Sequence, residues 1–269
     1  MNTPRLHVLV VGATGSIGQP VVEEALLQGH AVRALVRNPD KAKELPKAAQ
    51  VIIGDVTRPD TLTSAVTGVD AIVFTVGSDG GGKRESESID YGGVRNVLAA
   101  LGSHMARIAL MTSIGVTNRT SDYNRSSEAH DWKRRSERFL RASGLPYTIV
   151  RPGWFDYNAP DQHQLCFLQG DRRHTGTPSD GVISRRQLAQ VLVRSLGTPH
   201  AVRKTLELVA VTGPAQTDLD PLFGALEADP PDALDGVKDL ANMLLESEPQ
   251  RVRDDLMAAQ AQRLARHAS

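Results

Sequence analysis

The seven residues Gly12-Ala13-Thr14-Gly15-Ser16-Ile17-Gly18 constrain what this chain can fold into more than any other stretch. Before them runs His7-Val8-Leu9-Val10-Val11, a short β-branched segment of the kind buried on both faces of a parallel sheet. After them the spacing turns helical, with Ile17, Val21, Val22, Ala25 and Leu26 on one face and Glu23, Glu24 and Gln28 on the other, up to a stop at Gly29. A glycine loop between a strand and a helix lets the backbone approach a pyrophosphate closely. The amides at Ser16, Ile17 and Gly18 and the helix dipole then favour its charge. A purely structural turn is the alternative, and glycine at every third position gives it little packing purpose.

The pattern repeats. Strands are expected at residues 31–37, 51–55, 71–76, 108–111 and 147–150, with helical spacing between them. Asn38 and Pro39 supply a cap and a first-turn proline for a short helix to about Leu45. Helices follow through Leu62, Ala65 and Val66, through Val94, Val97, Leu98 and Leu101, and over residues 128–143. Residues 77–84 and 117–127 read as loops. Strict alternation of strand and helix predicts an α/β fold with a doubly wound, mostly parallel sheet, whose ligand crevice lies outside the carboxyl ends of the strands.

Beyond residue 153 the regularity loosens. A helix at 185–196 and a strand at 206–211 are expected in a small substrate lobe, about 154–231, counted within one domain over residues 1–231. After Asp229-Pro230-Pro231-Asp232, the stripes Val237, Leu240, Ala241, Leu244 and Val252, Leu256, Leu264 predict a helical extension over 232–269, packed on the body or on a second subunit.

Composition narrows the function. Lys plus Arg and Asp plus Glu are 31 each, so no net field draws nucleic acid or an anionic membrane, and aromatics at 4% offer few base-stacking platforms. No run of about 18 apolar residues spans a bilayer, and glycines interrupt the uncharged stretch 6–22 that otherwise suggests a signal peptide. Cys166, the single cysteine, forms no internal disulfide, which leads us to expect a cytoplasmic protein. His163 and Cys166 have no second ligand pair, so no metal is expected, and no Gly-x-Ser-x-Gly elbow or Cys–His pair points to hydrolysis.

At the end of the second strand, where an NAD-binding fold usually presents a carboxylate to the ribose, stands Arg37. With Asn38 and Lys41 nearby, it suits the 2′-phosphate of NADP; otherwise it is a solvated strand end. Asp55, after the third strand, either accepts from the adenine amino group or caps the next helix. The expected cofactor lining comprises Gly12, Thr14, Gly15, Ser16, Ile17, Gly18, Arg37, Asn38, Lys41, Asp55 and Val56. At the later strand ends it continues with Val76, Gly77 and Thr112.

The glycine loop, Leu35-Val36-Arg37-Asn38-Pro39, Gly54-Asp55-Val56, Asp90-Tyr91-Gly92-Gly93, Met111-Thr112-Ser113 and Tyr147-Thr148-Ile149-Val150-Arg151-Pro152-Gly153 together resemble the atypical short-chain dehydrogenase/reductases. Within them the chain is similar to the NAD(P)H-binding, NmrA-like branch, over about residues 7–212. The resemblance implies a catalytic tyrosine four residues before a lysine. Lys133 matches the lysine and would hold the cofactor, whereas Ala129 stands in the tyrosine's place, and Tyr123 lacks a partner lysine at 127. Ser113 matches a position beside the nicotinamide, or else it is a strand-end hydroxyl satisfying backbone. His130, three residues before Lys133, is a proton-transfer candidate, unless it sits in water at a loop edge. Arg151 would form the floor of the substrate side, with Trp154 and Phe155 against a planar ligand.

The expected activity is therefore an NADPH-dependent reductase passing hydride to a small quinone-, flavin- or carbonyl-type acceptor, as a monomer or homodimer. The alternatives are a non-catalytic NADP(H) sensor, which Ala129 favours, and an assembly protein acting through its helical extension.

Overall fold

The computed structural model describes residues 4–268, so the outermost ends of the two expected spans, residues 1–3 and 269, lie outside it. β1 (His7–Val11), α1 (Gly18–Leu27), β2 (Ala31–Val36), β3 (Gln50–Ile53), α2 (Thr63–Val66) and β4 (Ala71–Phe74) form the first half. After a glycine-rich loop come α3 (Lys83–Glu85), a π-helical stretch Ser86–Tyr91 and α4 (Gly92–Ala100) in one run. β5 (Arg107–Met111), α5 (Asp122–Ser127), α6 (Ala129–Ser143), β6 (Tyr147–Pro152), β7 (Trp154–Phe155) and β8 (Gln164–Leu168) continue the chain. The remainder is β9 (Val182–Ile183), α7 (Arg185–Gly197), β10 (Lys204–Val211), α8 (Asp220–Gly224) and α9 (Gln250–Ala268).

The sheet runs β3-β2-β1-β4-β5-β6-β10-β9-β7, with β8 also on β10. From β3 to β10 every pairing is parallel, while β8 and β9 run antiparallel to β10. This is the doubly wound Rossmann order, and its reversal point falls between β1 and β4. The span expected as a lobe thus contributes β10 to the main sheet beside β6, and folds β7 to β9 over its far end.

Alternation along β1 shows how the layers form. Val8 and Val10 face α1 and α7, packing with Val21, Val22, Leu188 and Leu192, whereas Leu9 and Val11 face the other layer with Val97, Leu98 and Leu140. Val252, Leu256 and Ala259 of α9 join that second layer, so the extension docks on its own chain.

Two expectations about secondary structure fail. Residues 122–127 form α5, because the Ser121 hydroxyl accepts from the Asn124 amide and starts a helix. The stripe Val237, Leu240, Ala241, Leu244 is not helical: residues 232–244 are an irregular strap. The strap's backbone carbonyls are claimed elsewhere. Arg134 donates to the Leu240 carbonyl at 2.6 Å, Arg138 to Met243 at 2.6 Å and Arg141 to Leu234 at 3.1 Å. These arginines lie on α6 and are buried beneath the strap, each against a carboxylate: Arg134 and Arg138 on Asp235, Arg135 on Glu248, Arg141 on Asp229. The polar face of α6, opposite its core residues Trp132, Phe139 and Leu140, is thereby buried as well.

Candidate functional site

One cavity of about 1060 Å³ lies across the carboxyl ends of β1, β2, β4, β5 and β6, large enough for a dinucleotide with a second small molecule. Its first end is the glycine loop. Gly12 has φ +90°, which a side chain adopts only with strain, and a Cβ there meets the Val76 amide at 2.8 Å. A Cβ on Gly18 falls 2.0 Å from the Gly12 carbonyl, so glycine alone lets α1 start this close to β1. At the start of α1 the Gln19 amide is taken by the Gly15 carbonyl at 3.1 Å and Pro20 has none, which leaves the amides of Ile17 and Gly18 to meet an anion.

Arg37 lines the same end, exposed at the tip of β2, and among the described residues no carboxylate pairs with it. The residues expected beside it do not join it. Asn38 uses its side chain to accept from the Asp40 amide at 2.9 Å, capping the short 3-10 helix Pro39–Glu44, and neither it nor the exposed Lys41 is part of the lining. Asp55 and Val56 do line the cavity. The Asp55 carboxylate holds Thr57 through one oxygen, accepting from its amide at 2.9 Å and its hydroxyl at 2.8 Å, which leaves Oδ2 for a ligand. Thr14, Gly15, Ser16, Ile17, Val76 and Gly77 also line this half, whereas Gly18, expected among them, does not, being turned into the contact with the Gly12 carbonyl.

The strand ends of β5 and β6 and the start of α6 form the middle. Lys133 reaches the lining from α6, and its ammonium is held by Asp90 at 2.7 Å. Asp90 is itself buried and fixed by the Ser78 hydroxyl at 2.6 Å, so the lysine is positioned by a carboxylate that sequence reading had left without a role. Asp90 was visible only as part of the Asp90-Tyr91-Gly92-Gly93 motif. Ser113 and His130 both line the cavity, and both carry a buried polar atom, Oγ and Nδ1, without a hydrogen-bond partner. A buried polar atom left unpaired is costly and points to a partner supplied from the cavity. His130 is not a loop-edge residue in water. Its ring packs on Tyr123 with centroids 5.1 Å apart, and burial pushes its pKa below the ordinary value, which keeps it neutral at pH 7. Tyr123, set aside at first for want of a lysine, is therefore part of the site through the α5 turn that the sequence did not reveal.

Arg151 is not in the site. It is fully buried beneath it, with Glu137 at 2.6 Å and Asp239 at 2.7 Å, and it is absent from the lining. Two flanking carboxylates claim the guanidinium, and these come from α6 and the strap, which no local pattern connects. Thr112 touches the cavity, but its hydroxyl turns down to Glu137 at 2.8 Å. Ala129, in the tyrosine's place, is buried.

The far end is walled by Tyr123, Trp154, Phe155 and the loop Arg173–Gly176. Among the described residues no cluster of His, Cys, Asp and Glu could hold a metal, and no helix is long and apolar enough to cross a membrane.

Comparison with known proteins agrees with this geometry. Residues 12–199 match a family model described as NAD(P)H-binding. An uncharacterized chloroplastic protein of Arabidopsis thaliana is 30% identical over 249 residues, covering 82% of this chain and 76% of that one. Sanguinarine reductase from Eschscholzia californica is 26% identical, covering 82% and 96%. Among solved structures, an oxidoreductase from Lactococcus lactis superposes with a TM-score of 0.65 at 16% identity, over 82% of this chain and 99% of that chain, a likeness of fold.

Proposed function

Because the chain belongs to the NAD(P)H-binding family, we propose that it is an NADPH-dependent oxidoreductase that passes hydride to a small quinone-, flavin- or carbonyl-type acceptor. The observation that carries the reading is the continuity of the cavity, from the glycine loop and Arg37 at one end to Ser113, His130 and Lys133 and on to Trp154 at the other. The residues present fit a dinucleotide: the glycine loop admits a pyrophosphate, and the unpaired Arg37 guanidinium suits a 2′-phosphate. A bound reduced nicotinamide supplies the hydride. Lys133, fixed by Asp90, holds the nicotinamide ribose. The Ser113 hydroxyl, free of other partners, orients whatever polar group lies above the strand ends. His130, neutral and desolvated, is a base rather than a ready acid at pH 7.

With Ala129 where the resemblance places a phenol, the expected tyrosine donor for an alkoxide is missing. This favours acceptors such as quinones and flavins, whose reduced forms take a proton from water. Sanguinarine reductase is by its name a reductase, which is consistent with the enzymatic reading. The test is to follow NADPH oxidation with a panel of quinones, flavins and aldehydes. We expect turnover with at least one quinone or flavin. Tight NADPH binding with no turnover on any acceptor overturns the enzymatic reading in favour of a sensor.

A further inference from the structure

The charged groups on the far half of the cavity are engaged to different degrees. Arg125 is paired with Asp122, His174 leans on the buried Asp171 at 3.6 Å, and the Asp180 carboxylate is spent on the Thr175 and Gly176 amides at 2.8 and 2.7 Å. Arg173 is left over. Among the described residues its guanidinium donates to the backbone carbonyl of Asp180 at 3.2 Å and no carboxylate pairs with it, and it lines the cavity.

The loop presenting this arginine is held at both ends. Asp171 takes the Gly115 and Thr117 amides at 2.6 and 2.7 Å, and Asp180 closes the other side. The guanidinium is therefore displayed from a fixed base, which lowers the ordering cost of a bidentate contact. The same cavity is lined by Trp154, edge-on to Tyr157 with centroids 6.3 Å apart, and by Tyr123 on His130. Aromatic rings and a guanidinium with donors to spare on one cavity fit a planar ring system that bears a carboxylate or similar anionic substituent.

We propose that Arg173 selects acceptors carrying an anionic group on a planar ring, an inference that rests on the function proposed above. Arg173 grips the anion, and the aromatic wall packs the ring toward Ser113. The structure thus gives the cavity two arginines without carboxylate partners, Arg37 at the nucleotide end and Arg173 at the acceptor end.

The test uses the full chain saturated with oxidised NADP, so that no turnover occurs. Naphthoquinone-2-carboxylic acid and its methyl ester are titrated while calorimetry and quenching of the half-exposed Trp154 are followed; Trp132, the only other tryptophan, is buried. The acid is expected to bind about tenfold tighter than the ester, since a charge-assisted contact separates them. In Arg173→Gln that preference falls below about twofold, whereas Arg172→Gln, at an exposed neighbour outside the lining, retains it. Equal affinity for acid and ester in the wild type, or a preference that survives Arg173→Gln, overturns the inference. Failure of the protein to bind NADP at all is a separate result, and it refutes the function on which the inference rests.

Discussion

Gly15 and Gly18 stand three residues apart in one motif and are glycine for different reasons. A Cβ on Gly18 strikes the Gly12 carbonyl at 2.0 Å, while one on Gly15 comes to 3.2 Å of the same atom, a few tenths of an ångström inside ordinary contact. Gly18→Ala is accordingly expected to cost about 1–3 kcal/mol of stability by overpacking. Gly15→Ala should melt near the wild type and yet lose the stabilising shift that NADPH confers. Thermal unfolding with and without nucleotide separates the two, and the account fails if both variants simply unfold early or both keep the shift. A second residue gives a pH signature. Glu207 is buried on β10, and burial pushes its pKa up to about 7, with Arg151 opposing and Asp171 and Asp239 reinforcing the rise. The native state then holds a proton that the unfolded chain releases above about 4.5. Its contribution is fully present below pH 4.5 and is lost as pH rises to 7, at most ~3 kcal/mol. Glu207→Gln should match the wild type near pH 4.5 and exceed it at pH 8; parallel stability curves contradict this.

At the scale of elements, the strands and their order were legible because buried parallel strands read as short β-branched runs, each closed by glycine or a polar turn. The glycine loop was legible for the same reason, local spacing, whereas Lys133 was legible through the resemblance to a known family. What escaped was everything set by distant pairing. α6 carries Arg134, Arg135, Arg138 and Arg141, which as sequence looks like a solvated face, and the strap's leucines look like a helix. The two explain each other only once Asp229, Asp235 and Glu248 meet those arginines. Arg151 was misplaced by the same blindness, being drawn off by Glu137 and Asp239. Asp229 is the most demanding of these contacts. Its carboxylate accepts from Tyr147 at 2.8 Å, Thr205 at 2.6 Å, Arg141 at 3.1 Å and the Val237 amide at 2.9 Å. Replacing it by alanine leaves buried Arg141 only the more distant Glu137, at 3.5 Å, and should cost about 3–5 kcal/mol in denaturant unfolding. A loss below about 1 kcal/mol, the range of an exposed pair, would show that the strap is only loosely seated.

Across the whole molecule, the two layers, the strap and the far-end strands converge on one cavity at the point where the strand order reverses. The strap braces the loop beside its wall: Asn242 donates to the Thr117 carbonyl at 2.9 Å, and Arg119, paired with Asp131, donates to the Asn242 carbonyl at 3.0 Å. The extension is thereby part of the frame of the site. The central claim is that this frame holds a nicotinamide dinucleotide by its pyrophosphate and chooses among such nucleotides by Arg37. Calorimetric titration of the wild type and Arg37→Ala with NADPH and NADH tests it most directly. The account predicts NADPH at least about tenfold tighter than NADH in the wild type, with the two brought close together in Arg37→Ala. Equal affinities in the wild type, or no heat with either nucleotide, would contradict it.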